Sequence, residues 1–180
     1  MAFIDPERAW KGINKTRGPH LPGVCLSLEK YKARRDFEQT SEPGDEETRI
    51  GENESIFVVQ EHHASHLHYD FRLSLDGVLK SWAVPKGVPI EPKIRRLAVE
   101  TEDHPLTYAD FEGDIPEGEY GGGKVIIWDK GPFDLIERTD SKIVVTLKGK
   151  KLDGNYALVR FAGKENNTKN WLIMKTSRAV

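Results

Sequence analysis

From Ile56 onward the apolar residues of this 180-residue chain recur with a period of two, in short runs broken by Gly, Asp and Pro. That pattern constrains the fold more than anything else, because alternating side chains can bury one face of a strand but not one face of a helix. The strand-like runs are Ile56 to Gln60, Leu67 to Leu75, Val78 to Val84, Arg96 to Glu100, Lys124 to Trp128, Phe133 to Glu137, Lys142 to Leu147, Asn155 to Arg160 and Trp171 to Lys175. Asp76-Gly77 and Asp153-Gly154 are hairpin signals, and Lys130-Gly131-Pro132 punctuates a further connection. Many short strands with turns between them predict an all-β fold with minor helix, an antiparallel barrel or sandwich.

Before Ile56 the pattern is different. Residues 1–25 are turn-rich, with Pro6, Gly18-Pro19 and Pro22-Gly23 as breakers, and Leu26 to Phe37 has room for a short helix. Residues 38–55 lack a hydrophobic pattern and read as a loop. The length fits one domain, read here as residues 31–180 behind an extension, residues 1–30, of unknown role. The single Cys25 excludes an internal disulfide and a thiolate zinc site, which suits a reducing cytoplasm. With no signal-like start and no apolar run of membrane-spanning length, a soluble, cytoplasmic protein without a membrane partner is expected.

The run Leu67 to Leu75 is the chemically suggestive one. Leu67, Tyr69, Phe71, Leu73 and Leu75 fall on one strand face and His68, Asp70, Arg72 and Ser74 on the other. An antiparallel sheet often keeps one wet face, so solvated polar residues are the plain reading. Solvated faces favour Thr, Lys, Glu and Ser, however, whereas His, Asp and Arg in consecutive same-face positions join two metal ligands to an anion clamp. His62 has the right parity to join them across the turn His63-Ala-Ser-His66, and His63 and His66 are read as exposed bystanders.

Two further segments carry polar chemistry. Arg96, Glu102, Asp103, His104 and Tyr108 cluster in sequence, and with Lys86 they could form an anion site in which cations stabilise charge and His or Tyr handles protons. Gly118 to Lys124 meets the first part of a phosphate-loop pattern, but Val125 stands where Ser or Thr should follow and a strand comes next, so the glycines read as tight-turn residues. Net charge is only −2, yet Arg138 to Val180 holds ten Lys or Arg against three acids, so a basic patch is expected near the C-terminus.

Together these motifs resemble a known family. Phe57-Val-Val-Gln-x-His62-x-Ala-x-x-Leu-His68-Tyr-Asp70-Phe-Arg72-Leu, then Lys80-Ser-Trp-Ala-Val-Pro-Lys86-Gly, Arg96-Leu-Ala-Val, Glu102-Asp-His104-Pro-Leu-x-Tyr108-Ala-Asp-Phe-Glu-Gly and Ile115-Pro-Glu-Gly-Glu-Tyr-Gly-Gly-Gly are similar to the 3'-phosphoesterase family, whose best-known members form the N-terminal domain of bacterial DNA ligase D. Tyr31-x-x-x-Arg35-Asp36-Phe37-x-x-Thr40-x-Glu42-Pro43 resembles its opening motif and Asn170-Trp-Leu-Ile-Met-Lys175 its closing one. The resemblance implies a compact antiparallel β-barrel flanked by short helices. It also implies a manganese-dependent hydrolase that removes 3'-terminal ribonucleosides and 3'-phosphates in end-joining repair, with Co or Zn as other admissible metals.

Carried over by motif, His62, His68 and Asp70 would bind the metal, and His104, Arg72, Tyr108, Lys86 and Arg96 would act at the scissile phosphate. Arg35, Asp36 and Glu42 would support the 3'-terminal nucleotide. The implied partners are DNA or RNA-DNA primer-template 3' ends, with a DNA ligase and a polymerase acting in trans on a monomer. Two other readings remain open from the residues: a non-haem iron oxygenase built on His68, Asp70 and His104, and a non-catalytic single-strand-binding barrel using the basic C-terminal third.

Overall fold

The computed structural model describes residues 28–44, 55–161 and 168–176, so most of the expected extension over residues 1–30 lies outside the described residues. Its strands are β1 (Ile56–His63), β2 (Leu67–Leu75), β3 (Val78–Val84), β4 (Arg95–Glu100), β5 (Gly113–Ile115), β6 (Gly123–Arg138), β7 (Lys142–Lys148), β8 (Asp153–Arg160) and β9 (Asn170–Lys175). They hydrogen-bond in the order β1-β2-β3-β4-β9-β8-β7-β6, and β6 pairs back onto β1. The result is a closed eight-stranded antiparallel barrel, with β5 added to β6 outside the ring. Closure leaves the ring itself no open edge. Very little helix accompanies it: α1 (Glu29–Lys32) and a 3-10 turn at Leu106–Asp110. Neither is long and apolar enough to cross a membrane.

The alternation seen in the sequence sorts residues to the two sides of the wall. Phe57, Val59, Phe71, Leu73, Trp82, Val84, Ala98, Val145, Leu147, Leu158 and Ile173 come from strands all round the ring and fill its interior. Val58, Leu79 and Val125 point the other way and are covered by Tyr31, Leu106, Tyr108, Ala109, Phe111 and Ile115. The centre of the polar face of β2 is therefore not wet, though His68 and Ser74 at its ends stay partly exposed. Asp70 and Arg72, with Gln60 from β1, are buried between the barrel wall and this outer layer.

Three connections depart from the expected pattern. Lys130-Gly131-Pro132 is not a break, because β6 runs unbroken through it for 16 residues. It is where β6 exchanges partners, pairing with β1 up to Pro132 and with β7 from Phe133, so the missing proline N–H falls at the changeover. The carbonyl of Lys148 passes so close to Gly131 that a Cβ there would meet it at 2.4 Å, which is why glycine occupies the crossing. Asp153-Gly154 opens β8 instead of forming the turn; residues 149–152 make the connection. That loop is fixed by Asp129, whose buried carboxylate accepts the backbone N–H groups of Lys150, Lys151 and Leu152 at 3.0, 3.0 and 2.7 Å. The expected helix over Leu26 to Phe37 contracts to four residues, after which Asp36 accepts N–H groups of Glu38, Gln39 and Thr40 and bends the chain across the barrel. Asp76-Gly77, both at positive φ, do form the β2-β3 turn.

Candidate active site

Register builds the site. Antiparallel pairing sets His62 opposite His68, Gln60 opposite Asp70 and Val58 opposite Arg72 on β1 and β2, and Arg72 opposite Ser81 on β2 and β3. Facing residues on one side of a sheet have neighbouring Cβ atoms, so these polar groups meet without any loop to bring them together. The His62 and His68 rings lie 4.7 Å apart, and the ligand-capable atoms of His62, His68 and Asp70 all fall within 4.8 Å of one another.

The donor set fits a divalent cation. His62 Nε2 lies 2.7 Å from the Gly121 carbonyl and His68 Nδ1 lies 2.9 Å from the His66 carbonyl. A carbonyl only accepts, so those nitrogens carry the hydrogens and the opposite nitrogens present lone pairs. His62 Nδ1 and His68 Nε2 face the two Asp70 oxygens at 3.6 and 3.8 Å. Two lone pairs and a carboxylate converging on one point call for a shared cation. Burial pushes the Asp70 carboxyl pKa up, but the Arg72 guanidinium, with the His62 and His68 imidazoles beside it, outweighs burial and holds the group below the usual carboxylate value.

Beside this triad, Arg72 is almost wholly engaged. It donates to Gln60 Oε1 at 2.8 Å, Ser81 Oγ at 2.7 Å and Asp70 Oδ2 at 3.1 Å, and its Nη1 stands 2.9 Å from His104 Nδ1. His104 Nδ1 also faces the Glu102 carbonyl at 2.9 Å, while its Nε2 faces Arg35 Nη2 at 3.2 Å. A neutral imidazole can accept from only one of two flanking guanidiniums, so this bracket holds more donors than acceptors and suits an incoming anion. Burial, then Arg72 and Arg35, hold the His104 pKa well below its ordinary value.

Glu42 ties the outer layer together. It accepts from Arg35 Nε at 2.9 Å, from the Tyr108 hydroxyl at 2.9 Å and from Thr40 Oγ1 at 3.1 Å. Burial and the Glu42 carboxylate push the Tyr108 phenol well above its usual value even against Arg72, so it stays protonated with its hydrogen committed to Glu42. The cavity enclosed by these groups measures about 300 Å3 and is lined by Arg35, Glu42, His62, His68, Asp70, Arg72, Glu102, His104, Tyr108 and Tyr120 among others.

Nine of the residues singled out from sequence, Glu102 among them, thus share one cavity. Asp36, Lys86 and Arg96 do not line it. Asp36 is an exposed turn former, and Arg96 donates to the Lys86 carbonyl at 2.8 Å. Sequence reasoning gave no role to Gln60, Ser81, Tyr120 or the Gly121 carbonyl. Two of these had a signal: Gln60 shares the parity of His62, and the two-residue Asp76-Gly77 turn sets Ser81 opposite Arg72 by counting back along the hairpin. Tyr120 and Gly121 fall in the glycine-rich motif of the family resemblance, but such a loop has no period that would place them at the site.

Comparison with known proteins gives a consistent result. A family described as the DNA Ligase D 3'-phosphoesterase domain matches residues 60–160. The multifunctional non-homologous end joining DNA repair protein LigD of Mycobacterium tuberculosis is 49% identical over 144 residues, covering 78% of this chain and 19% of that protein. The multifunctional non-homologous end joining protein LigD of Pseudomonas aeruginosa is 47% identical over 158 residues (82% and 18%), and that of Mycolicibacterium smegmatis 48% over 160 residues (83% and 20%). The chain spans about a fifth of the length of these curated relatives.

Proposed function

The chain belongs to the DNA ligase D 3'-phosphoesterase family, and from that premise we propose that it hydrolyses phosphoesters at DNA or RNA-DNA primer 3' ends. In this reading it removes terminal ribonucleosides and then 3'-phosphates, leaving a 3'-hydroxyl for end joining by a ligase and a polymerase. The observation that carries the reading is the adjacency of the His62, His68 and Asp70 triad to the Arg72, His104 and Arg35 bracket in one cavity.

Manganese, the metal the family resemblance favours, would be held by His62 Nδ1, His68 Nε2 and Asp70 and would supply Lewis-acid polarisation of a phosphoryl oxygen. The remaining chemistry falls to the chain itself. Arg72 and Arg35 stabilise negative charge on the non-bridging oxygens, and their preset geometry needs little reorganisation during the reaction. Water attacks phosphorus and gives up a proton; the bond to the 5' oxygen of the departing ribonucleoside breaks in the first step and the bond to the 3' oxygen in the second, and the leaving oxygen must gain a proton each time. His104 is assigned this transfer, because an anion between two guanidiniums offsets the charge that holds its pKa down. Tyr108, with its hydrogen given to Glu42, positions Arg35 through that carboxylate. Lys86 and Arg96 are assigned the rim. Lys86 follows shortly after Ala83, which lines the cavity, and the two cations would meet the phosphate as the 3' end enters.

The test is a labelled primer-template bearing either a 3'-phosphate or 3'-terminal ribonucleotides, incubated with and without manganese and resolved by length and end chemistry. Metal-dependent conversion to a 3'-hydroxyl is expected. No 3' product with any divalent metal would overturn the assignment.

A further inference from the structure

The two ends of the barrel treat their cations differently. At the end that carries the β2-β3 turn, Lys80, Arg138 and Arg160 are ion-paired with Asp103, Asp76 and Glu100 at 2.6, 2.5 and 3.1 Å. The opposite end carries the β1-β2 turn, and with it His62 and His68. Antiparallel pairing brings the β3-β4 connection, the β7-β8 connection and Lys175, the last residue of β9, to that same end. There Lys93, Arg95, Lys150 and Lys175 have no acidic partner among the described residues, and the first three are exposed.

The register makes these cations one surface. Pro92 bridges to Lys175, Arg95 pairs with Met174, and Lys175 pairs with Tyr156. A Cβ at Gly87 would touch the Tyr69 ring at 3.5 Å; that ring meets Trp128 edge-on at 5.7 Å, and Lys151 covers Trp128 at 4.5 Å. Acids are scarce along it. Glu61 is engaged by Tyr69 and His63, and Asp129 by three backbone N–H groups, which leaves Glu91 and Asp153 between β3 and β8. Glu117 and Glu119 belong to the loop that enters β6 beside β1, across the ring from β4 and β9. In a chain of net charge −2 the positive sign of this end is local.

The rings at this end offer no open platform. Tyr156 is fully buried, Tyr69 and Trp128 pack on the interior cluster, and Lys151 lies over Trp128. Single strands are held by bases stacked on open rings, whereas a duplex hides its bases and presents phosphates. We infer that this end of the barrel binds the phosphate backbone of duplex DNA, with Lys93, Arg95, Lys150 and Lys175 on phosphates and no base read. That the duplex is the stem of a primer-template, with its 3' end at the neighbouring triad, rests on the proposed function; binding to the face does not.

The two can be tested apart. Binding of a fluorescein-labelled blunt DNA duplex with 3'-hydroxyl ends is followed by anisotropy across a salt series without metal. For the Lys93→Gln/Arg95→Gln/Lys150→Gln variant the slope of log affinity against log salt should fall by about 3, roughly one per cation. The Lys130→Gln/Arg138→Gln/Lys142→Gln control removes the same charge from cations paired with Asp110, Asp76 and Glu137, and should leave the slope unchanged. On a 3'-phosphorylated primer-template with manganese, the first variant should raise KM and keep the wild-type kcat.

An unchanged slope in the first variant, or an equal change in the control, overturns the face. So does a single strand, or polyglutamate, that binds as tightly as the duplex with the same dependence on Lys93, Arg95 and Lys150. A fall in kcat at unchanged KM would move these residues into the chemistry and also overturn it. If the slope changes as expected but the wild type forms no 3' product from any primer-template, the face stands and the proposed function falls.

Discussion

Tyr108 and Glu42, 66 residues apart in the chain, are joined by a 2.9 Å hydrogen bond from the phenol to a carboxylate oxygen, with both side chains out of water. The bond clamps the segment that follows α1 onto the 3-10 turn, and with it the outer layer onto the barrel wall. Through the same carboxylate it holds Arg35 against His104.

Removing that hydroxyl should show in stability as well as activity. Tyr108→Phe keeps the ring but leaves a buried carboxylate one donor short, which costs about 1–3 kcal/mol. Urea unfolding should show a lower midpoint with an unchanged slope. An unshifted midpoint would mean that the clamp is not stabilising.

Metal affinity should depend on the triad independently of catalysis. His68→Ala removes one of three converging ligands, and manganese binding measured by calorimetry should weaken by more than about 100-fold, beyond the 10–100-fold typical of losing a supporting contact. The far-ultraviolet circular dichroism spectrum should be unchanged, because His68 lies outside both hydrophobic clusters. Equal manganese affinity in the variant would remove His68 from the ligand set.

Gly121 should matter through its backbone. It sits at φ +81° and gives its carbonyl to His62 Nε2, so Gly121→Ala forces a side chain into a left-handed conformation and disturbs that acceptor. The expected result is about 1–3 kcal/mol of strain, with manganese affinity lowered about 10–100-fold as for a lost supporting contact. A crystal structure of the variant with the carbonyl still on His62, together with unaltered affinity, would refute this.

Stability should fall in mild acid because of His104. Its folded pKa is held below the ordinary 6.5 by burial and two guanidiniums, so below pH 6.5 the unfolded chain binds a proton that the folded chain resists. The contribution is fully present above pH 6.5 and is lost progressively as pH drops toward the depressed folded value. Unfolding free energies measured from pH 7.5 down to 5 should decline in the wild type and less steeply in His104→Gln. Parallel curves would place the acid sensitivity elsewhere.

Much of this arrangement was legible in the residues and some was not. The β2 and β3 limits match their expected runs because alternation and the Asp76-Gly77 turn agree on them. The triad was partly legible: parity puts His68 and Asp70 on one face, while His62 has the right parity but reaches them only through the β1-β2 pairing. Lys130-Gly131-Pro132 misled, since a changeover between partners and a chain turn use the same residues, and only the identity of β6's neighbours distinguishes them. The burial of Asp70 and Arg72 was not legible on β2 itself, because no local pattern announces that Tyr31, Leu106 and Tyr108 will cover the outer side of the wall.

The sequence by itself determined the all-β character, the polar stripe along β2 and the residue types able to hold a metal and an anion, because each rests on contacts between near neighbours whose geometry follows from a period of two. The tertiary structure alone decided that Asp70 and Arg72 in the stripe are buried, that Arg35 and Glu42 reach it from 20 or more residues upstream of β2, and that Gly121 fixes the His62 tautomer. Those depend on ring closure and on loops laid across the barrel, where partners distant in sequence are chosen by packing that no local pattern encodes.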